Sequence, residues 1–458
     1  MLKASEGRTF YAILNKLYLF VLLTRSSTDG LLALVRGEDG GFTAGAVLNV
    51  FVLALGLACL ICATRKSTLL PAAVWVPYLV SLVVSLIYTP DFPDGLRLFL
   101  SILTYPMMFI TGLVLTTDQA QFKTILRTVV WSSIGPGIFV LMQLAGYFLP
   151  EDGRISGSFS HANILGFYCT AVFFALMCLS RLERKRSIVV RSGLFICTML
   201  TLVVLVLTEA RGAWVGAFIL IAVYLTFVER WLLIIAPLLP LVLFIPAISS
   251  RLSDISDDSY SASSEQVTSG AVVLNSYAWR QMLWSFAIAD SENARILGKG
   301  ISSFRHNATD FFPLQSNAES VGHIDAHSGY IQSLYELGVI GLICYIAVYL
   351  GLIPFIFSTS RDGLGVMLTA FIFANMVFNY SDNVLYYLSY NWYVWAILGS
   401  AIGYRYRQLT HGSITLASLE ASLQLKSQSL KNRLYGHETG QSRQGNSLDA
   451  MDPPNAQH

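Results

Sequence analysis

Hydrophobic positions along this chain come in long unbroken runs, without the stripe of an amphipathic helix or the alternation of a half-buried strand. The runs recur at roughly 17 to 25 residues, each long enough to cross about 30 Å of hydrocarbon as a helix. They predict spans at 9–24, 44–63, 69–88, 96–115, 124–148, 161–180, 188–208, 212–228, 230–247, 329–357, 363–380 and 384–403. The expected fold is therefore all-α, a polytopic membrane bundle of about twelve helices. The short hinge between 228 and 231 admits a re-entrant pair as an alternative. There is no internal repeat and no inverted pair of interrupted spans of the kind transporters use.

Two polar stretches break the pattern. Residues 248–328 form one large loop, rich in Ser, Asp and Asn, with amphipathic stretches such as Tyr277 to Ala289 that should lie on or near a membrane surface. The end of the chain, 404–458, carries a polar tail over 408–458 with the composition of a disordered segment. The expected organisation is thus spans one to nine over 1–247, the loop over 248–328, spans ten to twelve over 329–403, and the tail. Composition agrees: 54% of residues are hydrophobic and 13% charged, against about 25% charged in a soluble domain. A net charge of +2 gives no reason to expect a nucleic-acid partner.

Charge placement says more than charge total. With the N-terminus inside, the short cytoplasmic connections hold Arg65, Lys66, Lys123, Arg127, Arg181, Arg184, Lys185, Arg186, Arg191, Arg230 and Arg361, eleven in all, against five outside (Arg25, Arg36, Arg97, Arg154, Arg211). That bias orients the bundle, with RLERKR at 181–186 as its strongest anchor. The tail then falls on the cytoplasmic side. Lys3 and Arg8 precede an apolar stretch like that of a signal peptide, but Lys16 interrupts it and no small-x-small cleavage site follows, so an uncleaved first span is expected. Cys59, Cys62, Cys169, Cys178, Cys197 and Cys344 all lie within apolar runs and read as small buried thiols.

The polar residues concentrate on the outward side. GRISGSFSHAN (153–163) precedes span six, LTEARGAWVG (207–216) joins spans seven and eight, and FNYSDNVLYY (378–387) makes the last outward turn. The large loop holds NSYAWRQMLWSFA (275–287) and LGKGISSFRHN (297–307), and HIDAHSGYIQSLYELGVIGL (323–342) leads into span ten. The inward side has no glycine-rich phosphate loop or nucleotide fingerprint. Glu209 and Arg211, one residue apart between apolar runs, are either a pair pinning two helices or an anion clamp, with the first amides of the next helix facing the same anion. Arg280, between Trp279 and Trp284, is either a surface-helix arginine or a second cation on that anion. Four histidines face outward: His161, His306, His323 and His327. His327, at the mouth of span ten, is a polar cap or a general base. His323 and His327 would sit i, i+4 if helical, but no third ligand at metal-binding spacing accompanies them, so no metal is expected. Asp254, Asp257 and Asp258 read as a solvated loop, and Glu336 as a buried carboxylate inside span ten.

Taken together these segments resemble the O-antigen ligase and polysaccharide polymerase superfamily of bacterial envelope glycosyltransferases. The residues that carry the resemblance are Gly157, Ser158, Phe159, His161 and Asn163; Arg211 in TEARGAW; Arg280; and His327, Ser328, Leu334, Glu336, Gly338 and Gly341. One departure is Ser328, where many relatives have Asn. The resemblance implies a glycan donor on undecaprenyl pyrophosphate at the periplasmic face of the bacterial inner membrane, attacked with inversion by an acceptor sugar hydroxyl. No metal, nucleotide or other cofactor is implied. It makes His327, Arg280 and Arg211 catalytic, and His161, Asn163, Glu209, Trp279, Glu336 and His323 substrate-binding. The expected partners are the lipid-linked oligosaccharide, an acceptor glycan (a growing polysaccharide or the lipid A core), membrane lipids and a chain-length regulator. Polymerase is the first reading, ligase the alternative, and a lipid or solute transporter the alternative of another class.

Overall fold

The computed structural model describes residues 4–34, 44–63, 66–147, 153–230, 234, 276–312, 324–357 and 362–411. Met1–Arg407 form one compact unit, and Gln408–His458 separate from it. The regular elements among the described residues are all helical, with no strand. In chain order they are α1 (Ala4–Leu34), α2 (Ala44–Cys62), a 3-10 segment (Lys66–Trp75) running into α3 (Val76–Ser85), α4 (Phe92–Leu115), α5 (Gln119–Ser132), α6 (Ile134–Leu144), α7 (Ala162–Leu182), α8 (Ile188–Leu207) and α9 (Arg211–Val223), then α10 (Ser276–Asp290), α11 (Ser303–Phe311), α12 (Gly329–Leu350), α13 (Ile353–Ile356), α14 (Gly363–Ser381) and α15 (Leu388–His411). Among the described residues nine helical stretches are long and apolar enough to cross a membrane. The span expected at 9–24 falls within α1, and the one expected at 384–403 begins in a 3-10 turn (Val384–Tyr386) and continues as α15. The span expected at 230–247 lies outside the described residues apart from its edge, as do Asp254, Asp257, Asp258 and His323.

Side-chain caps fix several helix starts. Asp91, Asp118 and Asp362 accept from the amides of Asp94, Gln121 and Gly365 at the mouths of α4, α5 and α14. The core is α4, α7, α14 and α15 with the end of the 3-10 segment, and their aromatic side chains interlock. Trp75 meets Trp395 edge-on at 4.5 Å, Tyr168 meets Tyr393 at 5.0 Å, and Phe174 stacks on Phe371 at 4.2 Å. α15 comes against α4 along small residues. A Cβ on Gly399 would strike the Phe109 carbonyl and one on Gly403 the Leu113 carbonyl, while one on Gly112 would meet the Ser400 amide. Small residues four apart let backbones approach this closely where no hydrophobic effect drives association.

The structure departs from the pattern in four places. Arg25 is not in an outward connection: α1 continues through it, and the buried guanidinium pairs with Asp29 at 3.0 Å and lies over the Trp392 ring. Cys197 is exposed rather than buried, because α8 runs on the periphery of the bundle. The amphipathic stretch 277–289 lays its apolar face on protein: Leu283 and Ala287 of α10 form a small second core with Phe304, Phe312, Ala326 and Tyr335. Finally, α12 is interrupted. Gly338 has φ 68° and ψ −171°, a conformation open essentially to glycine alone. The groups freed by the break bond to the loop crossing it. Val339 and Ile340 donate to the carbonyls of Arg295 and Ile296, and Lys299 and Gly300 donate to those of Tyr335 and Glu336. Backbone polar groups at such depth need partners from within the protein.

Candidate functional site

The starts of α7, α9 and α12 and the end of α14 meet at one end of the bundle, around Ser381 and Asp382. Asp382 follows the last turn of α14, and its side chain is 2% exposed. Its carboxylate accepts from Asn163 Nδ2 at 2.5 Å, from the Tyr387 hydroxyl at 2.8 Å and from the Asn383 amide at 2.9 Å. His327 Nδ1 lies 3.7 Å from Asp382 Oδ1, beyond hydrogen-bond length but within ion-pair reach once the imidazole is protonated. Burial alone would raise the Asp382 carboxyl. The His327 imidazole, the Arg280 charge and the Asn163 amide outweigh it and hold the group well below the usual carboxylate range.

His327 sits in a bend before α12 with φ 47°, and the amide of Gly329 closes the turn by donating to the Asp382 carbonyl at 3.2 Å. Residues 324–328 are not helical, so the i, i+4 pairing of His323 with His327 has no helix to carry it. The bend is fixed from two sides. The Trp284 indole donates to the Ala326 carbonyl at 2.6 Å, and the Ala326 amide donates to Gln332 Oε1 at 3.0 Å. The Trp279 ring stands edge-on to the imidazole at 5.5 Å. The imidazole itself keeps 39% of its surface exposed. Ser328 donates to the Asn379 carbonyl, tying the bend to α14.

Arg280, on α10 one residue after Trp279, donates from Nη1 to the Ser381 carbonyl at 3.0 Å. Arg211 is the first residue of α9, whose N-terminal turn has no side-chain cap. A Cβ on Gly212 would strike Ser381 Oγ, so that turn is pressed against the same corner. Glu209 takes φ 52° just before it. Among the described residues three non-glycines have positive φ, and two of them, Glu209 and His327, border this corner. His161 caps α7, its Nδ1 accepting from the Asn163 amide at 3.1 Å. Glu336 is removed from the opening: it is buried, and its oxygens accept from Gln332 Nε2 at 2.7 Å and the Tyr386 hydroxyl at 2.9 Å. It braces the helix break rather than facing solvent.

Three residues complete the corner without having been singled out by the sequence. Asp382 is its centre. Arg154 donates to Asn163 Oδ1 at 2.8 Å and to the Thr208 carbonyl, aiming the Asn163 amide at Asp382. Arg305 holds Asp325 bidentately at 2.6 and 3.0 Å, two residues before His327. The available signal for Asp382 was its place in FNYSDN, a carboxylate at the end of an apolar run.

The arrangement defines a membrane protein with a half-open imidazole backed by a buried carboxylate, with Arg280 and the head of α9 against the same corner at one end of a helical bundle. Residues 194–346, the stretch of this chain that contains Glu209, Arg211, Trp279, Arg280, His327 and Glu336, match the family model described as O-antigen ligase. That stretch matches the O-antigen ligase superfamily, whose description implies a membrane enzyme of ligase or polymerase type acting on a lipid-linked glycan and an acceptor. No curated protein matches the chain.

Proposed function

We propose that the protein is an inverting glycosyltransferase that moves a glycan from undecaprenyl pyrophosphate to an acceptor sugar hydroxyl at the periplasmic face of the inner membrane. The observation that carries this reading is the convergence of His327, Arg280 and the head of α9 on the Ser381–Asp382 corner. Asp382 faces Nδ1, which leaves Nε2 of a neutral His327 to accept the acceptor proton. The acceptor oxygen bonds to the anomeric carbon as the carbon–oxygen bond to pyrophosphate breaks, and the electron pair leaves on the pyrophosphate. Charge grows on that leaving group in the transition state, where Arg280, Arg211 and the first amides of α9 stabilise it more than in the ground state. Guanidinium suits the task because it stays charged and binds phosphate oxygens two at a time. His161, Asn163, Glu209, Trp279, Glu336 and His323 are the proposed substrate-binding set, Asn163 and Glu336 acting through neighbours. The energy resides in the donor, which accords with the lack of a nucleotide motif.

Within this chemistry the first reading is a polymerase extending a polysaccharide, with a chain-length regulator as a further partner. The description of the matched family favours the second, a ligase acting on lipid A core. Purified protein incubated with lipid-linked oligosaccharide alone separates them: a length ladder supports the polymerase, and product only after lipid A core is added supports the ligase. His327→Ala and Arg280→Ala should each abolish transfer while the protein stays folded in detergent. Full activity of the His327 variant would falsify the general-base role, and activity retained in both Arg211→Ala and Arg280→Ala would remove the pyrophosphate clamp. Lipid-linked glycan crossing proteoliposomes without covalent change would instead support a transporter.

A further inference from the structure

The opposite end of the bundle holds a second concentration of charge that the transfer reaction does not use. α7 runs from the Asn163 corner to Leu182, about 30 Å at 1.5 Å per residue. There the segment 181–186 turns back toward α8. Glu183, its side chain 4% exposed, accepts from Arg127 at 2.7 Å and Arg186 at 2.9 Å and pairs with Lys123 at 3.3 Å. Glu229 takes Arg184 at 3.1 Å and Arg181 at 3.3 Å. Lys185 has no ion pair among the described residues. Six cations thus face two carboxylates, a surplus of four positive charges. Lys123, Arg181, Arg184, Lys185 and Arg186 line an open cavity of about 600 Å³ together with Glu183, whose carboxylate is already paired.

Two features say what such a cavity suits. The first turn of α8 begins directly after the basic run, and its N-cap, Ser187, makes no side-chain capping bond. The helix that follows is the least buried of the spans, presenting Ile188, Val189, Phe195, Ile196, Leu200 and Val203 outward along its length. An anion seated in the cavity is therefore at the head of a bare apolar helix face. We propose that this cradle binds the phosphate headgroup of an anionic phospholipid, whose acyl chains lie along α8. A surplus of arginine and lysine holds the phosphate, as basic pockets between spans do. The apolar face supplies an area that a soluble phosphate cannot use. The proposal does not rest on the transfer chemistry.

The test is lipid retention by the purified full chain. Delipidated protein in non-ionic detergent is titrated with phosphatidylglycerol, diphosphatidylglycerol, phosphatidylethanolamine and glycerol phosphate, and bound lipid is read by native mass spectrometry. The anionic lipids should bind at least tenfold more tightly than phosphatidylethanolamine, and glycerol phosphate should compete only at far higher concentration. Lys185→Gln, which breaks no internal pair, should weaken the anionic lipids several-fold. Adding Arg184→Gln should weaken them further, while His306→Gln on α11 should change nothing. Equal binding of phosphatidylethanolamine, or unchanged binding by both cradle variants, overturns the proposal. Competition by glycerol phosphate at concentrations equal to the lipid also overturns it, since that describes an anion site with no use for acyl chains.

Discussion

At the scale of single residues, Asp382 decides how His327 works. A buried carboxylate is tolerated only when it is paired and hydrogen-bonded, and here three donors and the facing imidazole serve it. Its carboxyl is depressed in the folded protein, so its stabilising contribution is complete above the ordinary carboxylate range of about 4 and is lost only as pH falls through the lower folded value. Asp382 is therefore ionised throughout the range in which the enzyme would be assayed, and an acid limb in the rate profile must come from another group. Asp382→Asn keeps the shape but removes the counter-charge of an imidazolium and leaves Asn163 and Tyr387 facing an amide. Transfer should fall by roughly 10²–10⁴-fold, the range of a mispositioned general base. A variant that keeps the parent rate while its Tm in detergent falls would make Asp382 structural only. Asn163→Ala, which removes one charge-assisted bond worth about 1.5–3 kcal/mol, should give a smaller effect in the same direction.

At the scale of elements, the interruption of α12 ties the site to the loop. The segment 295–300 crosses at Gly338, and beyond it Lys299 and the Tyr335 hydroxyl both reach Asp290 at the end of α10, at 2.6 and 2.5 Å. α10 carries Arg280, so the register of the break sets where that arginine lies. Gly338→Ala forces a side chain into a backbone conformation closed to it and against the Ile296 carbonyl. It should lower stability by about 1–3 kcal/mol, seen as a reduced Tm in detergent, with transfer reduced in the fraction that remains folded. Gly193→Ala on α8, where an added Cβ meets nothing, is the control and should leave Tm unchanged or raised. Equal Tm values for the two variants would contradict the reading of the break. These elements also show what the sequence could and could not reveal. Spans were legible because hydrocarbon demands a run of fixed length, and that demand holds wherever the run packs. The break at Gly338 was not legible, since its freed amides are satisfied by residues some forty positions upstream. The site divides the same way. His327, Arg280 and Arg211 stand out as polar residues among apolar ones, whereas Asp382 and Arg154 gain their roles only from contacts between distant turns.

At the scale of the whole molecule, the two charged ends differ in kind. At the site end, cations are few: Arg280 and Arg154 each bond a backbone carbonyl, beside a half-open imidazole that faces a buried carboxylate. At the other end, six cations gather around two carboxylates. Short loops crowded with Lys and Arg stay on the cytoplasmic side because their translocation is disfavoured. Moving Arg25 into α1 lowers the count of outward cations and strengthens that bias. Under the proposed orientation the imidazole opens to the periplasm, where a lipid-linked donor would meet it after crossing. Single cysteines at exposed positions of each end read this directly, in a background where exposed Cys197 is replaced by Ala. His306→Cys on α11 should react with a membrane-impermeant maleimide in cells whose inner membrane is intact. Lys185→Cys should react only after that membrane is permeabilised. Labelling of both from the same side would break the bundle topology, and labelling with the sides exchanged would put the imidazole in the cytoplasm, where a glycan already carried across the membrane could not reach it.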